Sequence, residues 1–582
     1  YFLGKVADTK LKKMNKKETV ISTYELEIDL SNKSKTKIDP KYLNVIYQEI
    51  NTLLKIIQQS NFIISRSLQN EVLSNYANLL NINKENMTSL EGRKPQSLEI
   101  QHVVDQLPNK FAVTDKADGD RYFLIIHKGS VFLISDLLHV KNTGITLSDS
   151  LKTKYNDSIL DGELIFIQSH NRYLFMIFDC LINNNKDIRQ ESSFMERLKN
   201  ADDIINSCFV LKGQDGNKFD TYNGTFDINK ILTFHNNNIV SLMKSINHDL
   251  EIEKQFPLIR RKYFIDTLGG QNNEIFKYSL LMWNAYTKND KVSCPYLLDG
   301  LLYHPLDQKY ITSVKDSKFV EYKWKPQEKN SIDFYVQYER NRETNKIVTL
   351  YDNSKEEDDQ IRGKPYKILK LYVGKVVRGA EQPVLFEPET DSVKHLAYIF
   401  LDNDEARDVM GNIIQDDTVV EFYYNNDNNI LDKHRWVPLR TRYDKTESVQ
   451  RYKKKYGNYS DIAYKVWRSI RNPFIMNDIE LLSKDDIYNK HNEILRGKID
   501  HSIILSERKE NKFFQLKSIL GKPLRNFKNW ITSSLIYTYI NSMYEQDNLK
   551  LSVLDIACRK GEDIMKYYYG KVTMYTDFNI EA

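Results

Sequence analysis

Two hydrophobic periods divide the chain. From Tyr24 to Leu30 apolar and polar residues alternate one by one, which predicts a strand with Glu25, Glu27 and Asp29 on one face and Leu26, Ile28 and Leu30 on the other. Over Tyr42 to Ile57 the period changes. Leu43, Ile46, Ile50, Leu53, Leu54 and Ile57 recur at helical spacing and predict a packing helix. Phe111-Ala112-Val113 and Tyr122 to Ile126 flank the segment Lys116-Ala117-Asp118-Gly119-Asp120-Arg121. Both flanks predict strands, and Asp118-Gly119 predicts a tight turn that sets Lys116 at a strand end, at the mouth of a pocket. Val131 to Ile134 predicts a strand, and Leu160 to Phe166 predicts a turn at Asp161-Gly162 with Glu163 starting a strand. Tyr173 to Phe178 and Leu298 to Tyr303 follow, then Glu321 to Pro326 with Lys323 and Lys325 two apart.

Beyond residue 326 the strands are short. Ile332 to Val336, Ile368 to Val373, Thr418 to Tyr424 and the run from Trp436 predict a small β-barrel. Helices are predicted near Ile462 to Ile470 and from Phe527 to Met543. Leu551 to Asp563 reads strand, turn, helix, and Val572 to Tyr575 predicts a second strand with Asp577 just beyond its end.

A chain of 582 residues exceeds one core, and the pattern changes divide it into an α+β multidomain protein with segments 1–95, 96–326, 327–450, 451–545 and 546–582. Charged residues make up 28% and aromatics 12%, a globular composition rather than a disordered one. The net charge of +5 fits a nucleotide or nucleic-acid partner without requiring one. Cys180, Cys208, Cys294 and Cys558 have neither zinc-ligand spacing nor a disulfide pattern, so a reducing intracellular compartment is expected. No apolar run approaches about 18 residues, so no helical membrane span is expected, and no signal peptide is visible. The sequence starts without Met and stops inside its last folding pattern, so a fragment of a longer polypeptide is expected.

The candidate chemistry concentrates on these strands. Three acids on one strand face repel unless a cation lies among them, so Glu25 and Glu27 are candidate divalent-metal ligands; a solvated edge strand satisfies the same pattern. Lys116 is a candidate nucleophile toward an α-phosphate. Lys323 and Lys325 nearby would lower its pKa by repulsion and neutralise charge in the transition state. Glu163 and Asp299 would hold a divalent metal or ribose hydroxyls, and Phe178 would stack on a base. Arg440 and Arg442, then Asp444 and Lys445, form a candidate movable phosphate clamp; an exposed basic strand is the plainer alternative.

In order, KADGDR, LDGE, YLFMIFDCL, LDGLLYHP and EYKWKP resemble motifs I, III, IIIa, IV and V of the covalent nucleotidyltransferase superfamily of mRNA guanylyltransferases and polynucleotide ligases. Arg442-Tyr443-Asp444-Lys445, after a W-x-P-x-R run, resembles motif VI of the guanylyltransferases. Leu551 to Asp563 resembles the start of an S-adenosylmethionine-dependent methyltransferase, with Ala557 and Arg559 in place of two customary glycines. The Glu25/Glu27 strand resembles the second metal strand of a tunnel-type RNA triphosphatase. Together these resemble the multifunctional mRNA capping enzymes of large DNA viruses.

The resemblance implies the C-terminal part of a β-tunnel triphosphatase, a nucleotidyltransferase domain of the ligase/guanylyltransferase (ATP-grasp-like) type and an OB-fold. A helical linker and the start of a Rossmann-like methyltransferase would follow. It implies a lysyl-GMP intermediate on Lys116 and GTP binding by Asp118, Gly119, Arg121, Glu163, Phe178 and Asp299. Catalytic roles fall to Lys323, Lys325, Arg442, Asp444 and Lys445. It further implies Mg²⁺ or Mn²⁺, with Glu163 and Asp299 as ligands, and S-adenosylmethionine at Asp555, Gly561 and Asp577. The implied partners are an RNA 5′ end and GTP, with no membrane, and a methyltransferase-stimulating subunit or RNA polymerase. The implied location is the host cytoplasm or the virion. An ATP-dependent ligase, or a non-enzymatic RNA-binding subunit with decayed domains, remain the alternative readings.

Overall fold

The structure is a computed structural model. It describes residues 40–58, 60–108, 110–210, 219, 221–252, 256–288, 292–312, 320–351, 363–388, 393–427, 429–499, 522–544, 551–556, 563–569 and 572–578. The predicted strand with Glu25 and Glu27 lies outside the described residues, as does Gly561; for Asp577 only the backbone is described. Two units are present, one reaching Lys498 and one beginning at Ile499.

The first unit opens with helices α1 (Pro40–Gln58) and α2 (Arg66–Leu80). Strands β1 (Gln96–Ser97), β2 (Phe111–Ala117), β3 (Asp120–His127), β4 (Ser130–Ser135), β5 (Val140–Thr146), β6 (Ser158–Ile167), β7 (Arg172–Asn183) and β8 (Lys186–Asp187) follow, with α3 (Ile100–Asp105) after β1 and α4 (Asp149–Tyr155) before β6. After α5 (Phe194–Cys208) and α6 (Ile228–Leu250) come β9 (Leu258–Arg261), β10 (Ile265–Asp266), α7 (Glu274–Thr287), β11 (Leu298–Pro305) and β12 (Tyr322–Trp324). These strands form two sheets. One has the order β1-β12-β11-β2-β10. The other runs β5-β4-β3-β6-β7-β8, with β9 on β7.

The second of these sheets is covered on both faces, which explains its unbroken apolar runs. Phe123 and Ile125 of β3 pack with Val72, Tyr76 and Leu80 of α2. Leu124 and Ile126, pointing the other way, pack with Ala201, Ile204 and Ile205 of α5.

Four expectations change. Asp118-Gly119 is no hairpin turn: it carries the chain from one sheet into the other, since β2 and β3 do not pair. Gly119 is required by space, because a Cβ there would lie 2.8 Å from both Glu163 Cγ and Leu164 O. Asp161-Gly162 is not a turn either. It lies within β6 at a register shift against β7, and a Cβ on Gly162 would lie 2.5 Å from Phe175 Cζ. Helix α1 forms as predicted but packs poorly: Leu43 is 50%, Ile50 38% and Ile57 72% exposed. Its apolar stripe is wider than the surface available to it among the described residues. The fourth change is in the second unit, where Asp577 lies within its strand rather than beyond it.

A further eight-stranded sheet spans 331–441, with β13 (Ser331–Tyr338), β14 (Leu350–Tyr351), β15 (Pro365–Val377), β16 (Ala380–Leu385), β17 (Leu396–Asp402), β18 (Glu405–Ala406), β19 (Thr418–Tyr424) and β20 (Trp436–Thr441). It curls around one core. Ile332, Phe334 and Val336 alternate inward from β13 to meet Leu371, Phe422 and Trp436, and α9 (Ser460–Arg471), which follows α8 (Tyr443–Tyr452), closes the core with Val466 and Trp467. Helix α9 also fastens this sheet to the first one, through Arg468 on Glu99 (2.9 Å) and Lys465 on Gln96 (3.1 Å). The second unit holds a helix (Lys522–Tyr544) and two parallel strands, Ser552–Ile556 and Met574–Phe578, with a short helix between them in sequence.

Gly300 marks the tightest point of the first sheet, since a Cβ there would lie 2.0 Å from Trp324 O on the neighbouring strand. Gly300→Ala should therefore force β11 and β12 apart and cost about 1–3 kcal/mol, read as a lower urea midpoint of the first unfolding transition. An unchanged midpoint would contradict this packing.

Candidate active site

Three neighbouring antiparallel strands deliver the first group of side chains. Lys116 is opposite Gly300 across the β2–β11 ladder, and Leu302 is opposite Lys323 across β11–β12. Lys116 thereby reaches Asp299, and its ammonium forms an ion pair with that carboxylate. Lys325, just past β12, approaches the same oxygen at 2.9 Å. Burial would raise the Asp299 pKa, but Lys116 and Lys325 outweigh it and hold the carboxylate below its ordinary value. Lys323 carries the cost of this crowding. Burial first, then repulsion from Lys325, Lys116 and Lys445, brings it from the ordinary 10.5 down to about 8.

The second sheet supplies another group. Glu163 accepts a hydrogen bond from the Gly119 N–H (3.2 Å) and an ion pair from Lys262 (3.0 Å). Lys262 is fully buried and also touches Asp115 at 3.4 Å. Burial would strip its proton; the two carboxylates hold its pKa above the ordinary value. Arg121 forms a two-pronged contact with Asp161, Nε to Oδ1 at 3.0 Å and Nη2 to Oδ2 at 2.5 Å. Its guanidinium carbon lies 5.6 Å from the centroid of the half-buried Phe178 ring. Asp118 is exposed.

The curled sheet brings the third group. Arg442 caps α8, with Asp444 and Lys445 in that helix's first turn. Arg442 binds Asp444 through both prongs (3.2 and 3.1 Å) and approaches Asp333 at 3.3 Å, while Lys445 forms an ion pair with Asp333. Burial of Asp333 is outweighed by Lys445 and Arg442, so its pKa falls. Lys323, Lys325, Asp333, Arg442 and Lys445 line one cleft of about 230 Å³, together with Ser97. Four cations and two acids, Asp333 and Glu421, line it, an excess of positive charge that suits a polyanion.

The structure thus groups Lys116, Asp299, Lys323 and Lys325, and sets Arg442 and Lys445 across the same cleft. Glu163 faces Lys262, and Asp299 faces Lys116 and Lys325. Among the described residues no group of three or more His, Cys, Asp or Glu forms a metal centre. Asp299 remains chemically suited to hold a divalent cation jointly with substrate phosphates, the way Mg²⁺ is usually bound. Sequence reasoning missed Asp115, Lys262 and Asp333. Asp115 directly precedes the lysine, and Asp333 is an acid inside an apolar strand; each signal was present. Lys262, in the run Arg260-Arg261-Lys262, gave no sign of being buried.

A strand lysine paired to a carboxylate, beside the lysines that line a cationic cleft, is an arrangement suited to handling a nucleotide's phosphates. Residues 62–210 match the family of the mRNA capping enzyme catalytic domain, and residues 489–581 match the mRNA (guanine-N(7))-methyltransferase domain. A probable mRNA-capping enzyme of Acanthamoeba polyphaga mimivirus is 34% identical over 574 residues, 97% of this chain and 46% of that protein. The alpha subunit of the Saccharomyces cerevisiae mRNA-capping enzyme is 22% identical over 444 residues, 70% of this chain and 81% of that one. The mRNA-capping enzyme of Caenorhabditis elegans is 24% identical over 273 residues, 45% and 36% respectively. Residues 62–210 carry the match to the capping-enzyme catalytic domain, and nearly the whole chain is similar to the mimivirus protein. The chain spans about half the length of its mimivirus relative.

Two outcomes follow from the lysines. The fold lowers the Lys323 pKa from 10.5 to about 8, so it favours the neutral amine, and charged Lys323 destabilises it fully below pH 8. That penalty is relieved as pH rises from 8 towards 10.5. Lys323→Met should melt higher than the parent at pH 7, with the gap closing by pH 10; a lower melting point at pH 7 would refute the assignment. Lys262→Met leaves Asp115 and Glu163 without their buried cation and should cost about 3–5 kcal/mol, measured by chemical denaturation.

Proposed function

We propose that this chain carries the guanylyltransferase of an mRNA capping enzyme. The observation that carries the reading is Asp299 holding Lys116 beside Lys325, which itself lines the cationic cleft. In this reading Lys116 Nζ loses a proton to solvent and, positioned by Asp299, attacks the α-phosphate of GTP. The N–P bond forms as the bond to the β-phosphate oxygen breaks, and pyrophosphate leaves. An oxygen of the 5′-diphosphate end of RNA then attacks the phosphoramidate, the N–P bond breaks, and a GpppN cap results.

Lys323 and Lys325 offset the charge developing on the α-phosphate. Arg442, Asp444 and Lys445 orient the β- and γ-phosphates as the leaving group, with Asp333 fixing the two cations. Arg121 and Glu163 serve the ribose, and Phe178 stacks on guanine. In the present structure Arg121 lies on Asp161 and Glu163 on Lys262, so nucleotide binding would exchange or extend those contacts. Asp118 and Gly119 shape the lysine-bearing link. A divalent cation, Mg²⁺ or Mn²⁺, would be held by Asp299 with the phosphates and would withdraw charge from them.

We further read the curled sheet as an OB-fold that covers the nucleotide, and 96–326 as the nucleotidyltransferase domain. The remaining segments follow the same reading: 1–95 as the end of a triphosphatase tunnel, 451–545 as a helical extension and 546–582 as the start of a Rossmann-like methyltransferase. The match from 489 onward supports methyltransferase kinship. For the cofactor S-adenosylmethionine, Asp555 is a candidate ligand; its carboxylate accepts from the Tyr575 hydroxyl at 2.9 Å, and Asp577 is its register partner on the parallel strand. The capping-family matches disfavour the ligase reading, and the grouping of Lys116, Lys325 and Asp299 supports an enzyme over a binding subunit.

The test is incubation with Mg²⁺ and α-labelled GTP or ATP, followed by a denaturing gel. A labelled band with GTP alone, abolished in Lys116→Ala, is the expected result. Labelling with ATP alone would move the chain to the ligases, and labelling retained in Lys116→Ala would overturn the reading.

A further inference from the structure

Beneath the nucleotide site lies a second cluster of charges, buried and separate from the cleft. Its centre is Arg93, 6% exposed, in the extended segment ahead of β1. Its Nη2 donates to Asp179 Oδ2 at 2.5 Å and to His304 Nε2, and its Nε lies 3.0 Å from Glu321 Oε1. His304 Nδ1 in turn faces Glu321 at 3.1 Å. That pattern fits one tautomer, with the proton on Nδ1 and Nε2 accepting from the arginine. Burial and the surrounding arginines hold His304 neutral, well below its ordinary pKa.

The backbone of the same segment supports Arg121. The Arg93 carbonyl accepts from Arg121 Nη1, and Gly92 leaves room for the guanidinium: a Cβ there would lie 2.6 Å from Arg121 Cζ. Tyr310 closes the group, its ring 4.6 Å from the Arg93 guanidinium and its hydroxyl donating to Asp161 at 2.6 Å. Charge is balanced. Arg93, Arg121 and Arg197 face Asp161, Asp179 and Glu321.

The placement of the partners is informative. Asp179 directly follows Phe178 on β7. Glu321 precedes Lys323 by two residues. His304 shares β11 with Asp299. One guanidinium therefore joins the three strands that carry the base-stacking ring, the phosphate lysines and the carboxylate that holds Lys116.

We propose that Arg93 is a positioning residue for guanylyl transfer, fixing these three strands relative to one another and touching no substrate itself. Only a planar, forked cation spans Asp179, His304 and Glu321 at once; an ammonium is a point charge that satisfies one at a time. The proposal rests on the guanylyltransferase reading for its kinetic part alone.

The test uses two variants of the whole chain. Arg93→Lys keeps the charge balance and loses the fork. Arg93→Gln with Glu321→Gln removes one charge of each sign and leaves the Arg121–Asp161 and Arg197–Asp179 pairs intact. Both should melt near the parent. The single-turnover rate of labelling from saturating GTP should nevertheless fall about tenfold or more, as sub-ångström misplacement of reacting groups does. Amide exchange should rise in peptides covering 174–182, 299–304 and 321–325, and stay unchanged in 418–424 of the curled sheet.

Rates within twofold of the parent, or losses that only track the unfolded fraction, would overturn the proposal. If the parent is labelled by no nucleotide, the functional reading fails and the exchange pattern decides the role of Arg93. Unchanged exchange in the three peptides would overturn it there too.

Discussion

Asp299 is the constraint on which the site depends. Lys116, Lys323 and Lys325 are crowded together by the geometry of three adjacent strands, and in the absence of a counter-charge their repulsion would oppose that packing. One carboxylate, shared by Lys116 and Lys325, keeps both ammonium groups at the strand ends without filling the cleft beyond them. The third lysine, Lys323, is left with repulsion and burial, and its pKa falls to about 8. Stability is given up at the point where a polyphosphate would restore it.

The same arrangement recurs one layer deeper with the opposite outcome. In the cleft, cations exceed acids, which suits it to a polyanion. Around Arg93, three arginines meet three carboxylates and the charges balance, although Arg93 Nη1 is buried without a hydrogen-bond partner. A balanced buried network fixes geometry because removing one member leaves a charge stranded. The excess in the cleft binds; the balance beneath it holds the strands still. The Lys262 contact with Asp115 and Glu163 joins the two sheets in the same manner.

Much of this was legible in the sequence. Lys116, Asp299, Lys323, Lys325, Arg442 and Lys445 were identifiable because each lies on a short strand or helix start with a recognisable local pattern. Period located the lysine-bearing strands and the long strands of the curled sheet, while β5, β9, β16, β17 and the two-residue strands were not anticipated. Three kinds of feature were not legible. Glycines at Asp-Gly pairs look like turns, yet Gly119, Gly162 and Gly300 are there because another chain segment passes too close for a Cβ. Buried charges such as Arg93 and Lys262 carry no local mark, since their partners are distant in sequence. The exposed stripe of α1 has helical spacing, and spacing alone does not say whether a surface exists to receive it.

The central claim is that Lys116, held by Asp299, is the nucleophile, although Lys323 gives up its proton near pH 8. Peptide mapping of the GTP-treated protein, under alkaline conditions that preserve a phosphoramidate, tests it directly. The account predicts GMP on the peptide containing Lys116 and on no other lysine. GMP on Lys323 or Lys325 would contradict it, because an amine other than Lys116 would then carry the chemistry.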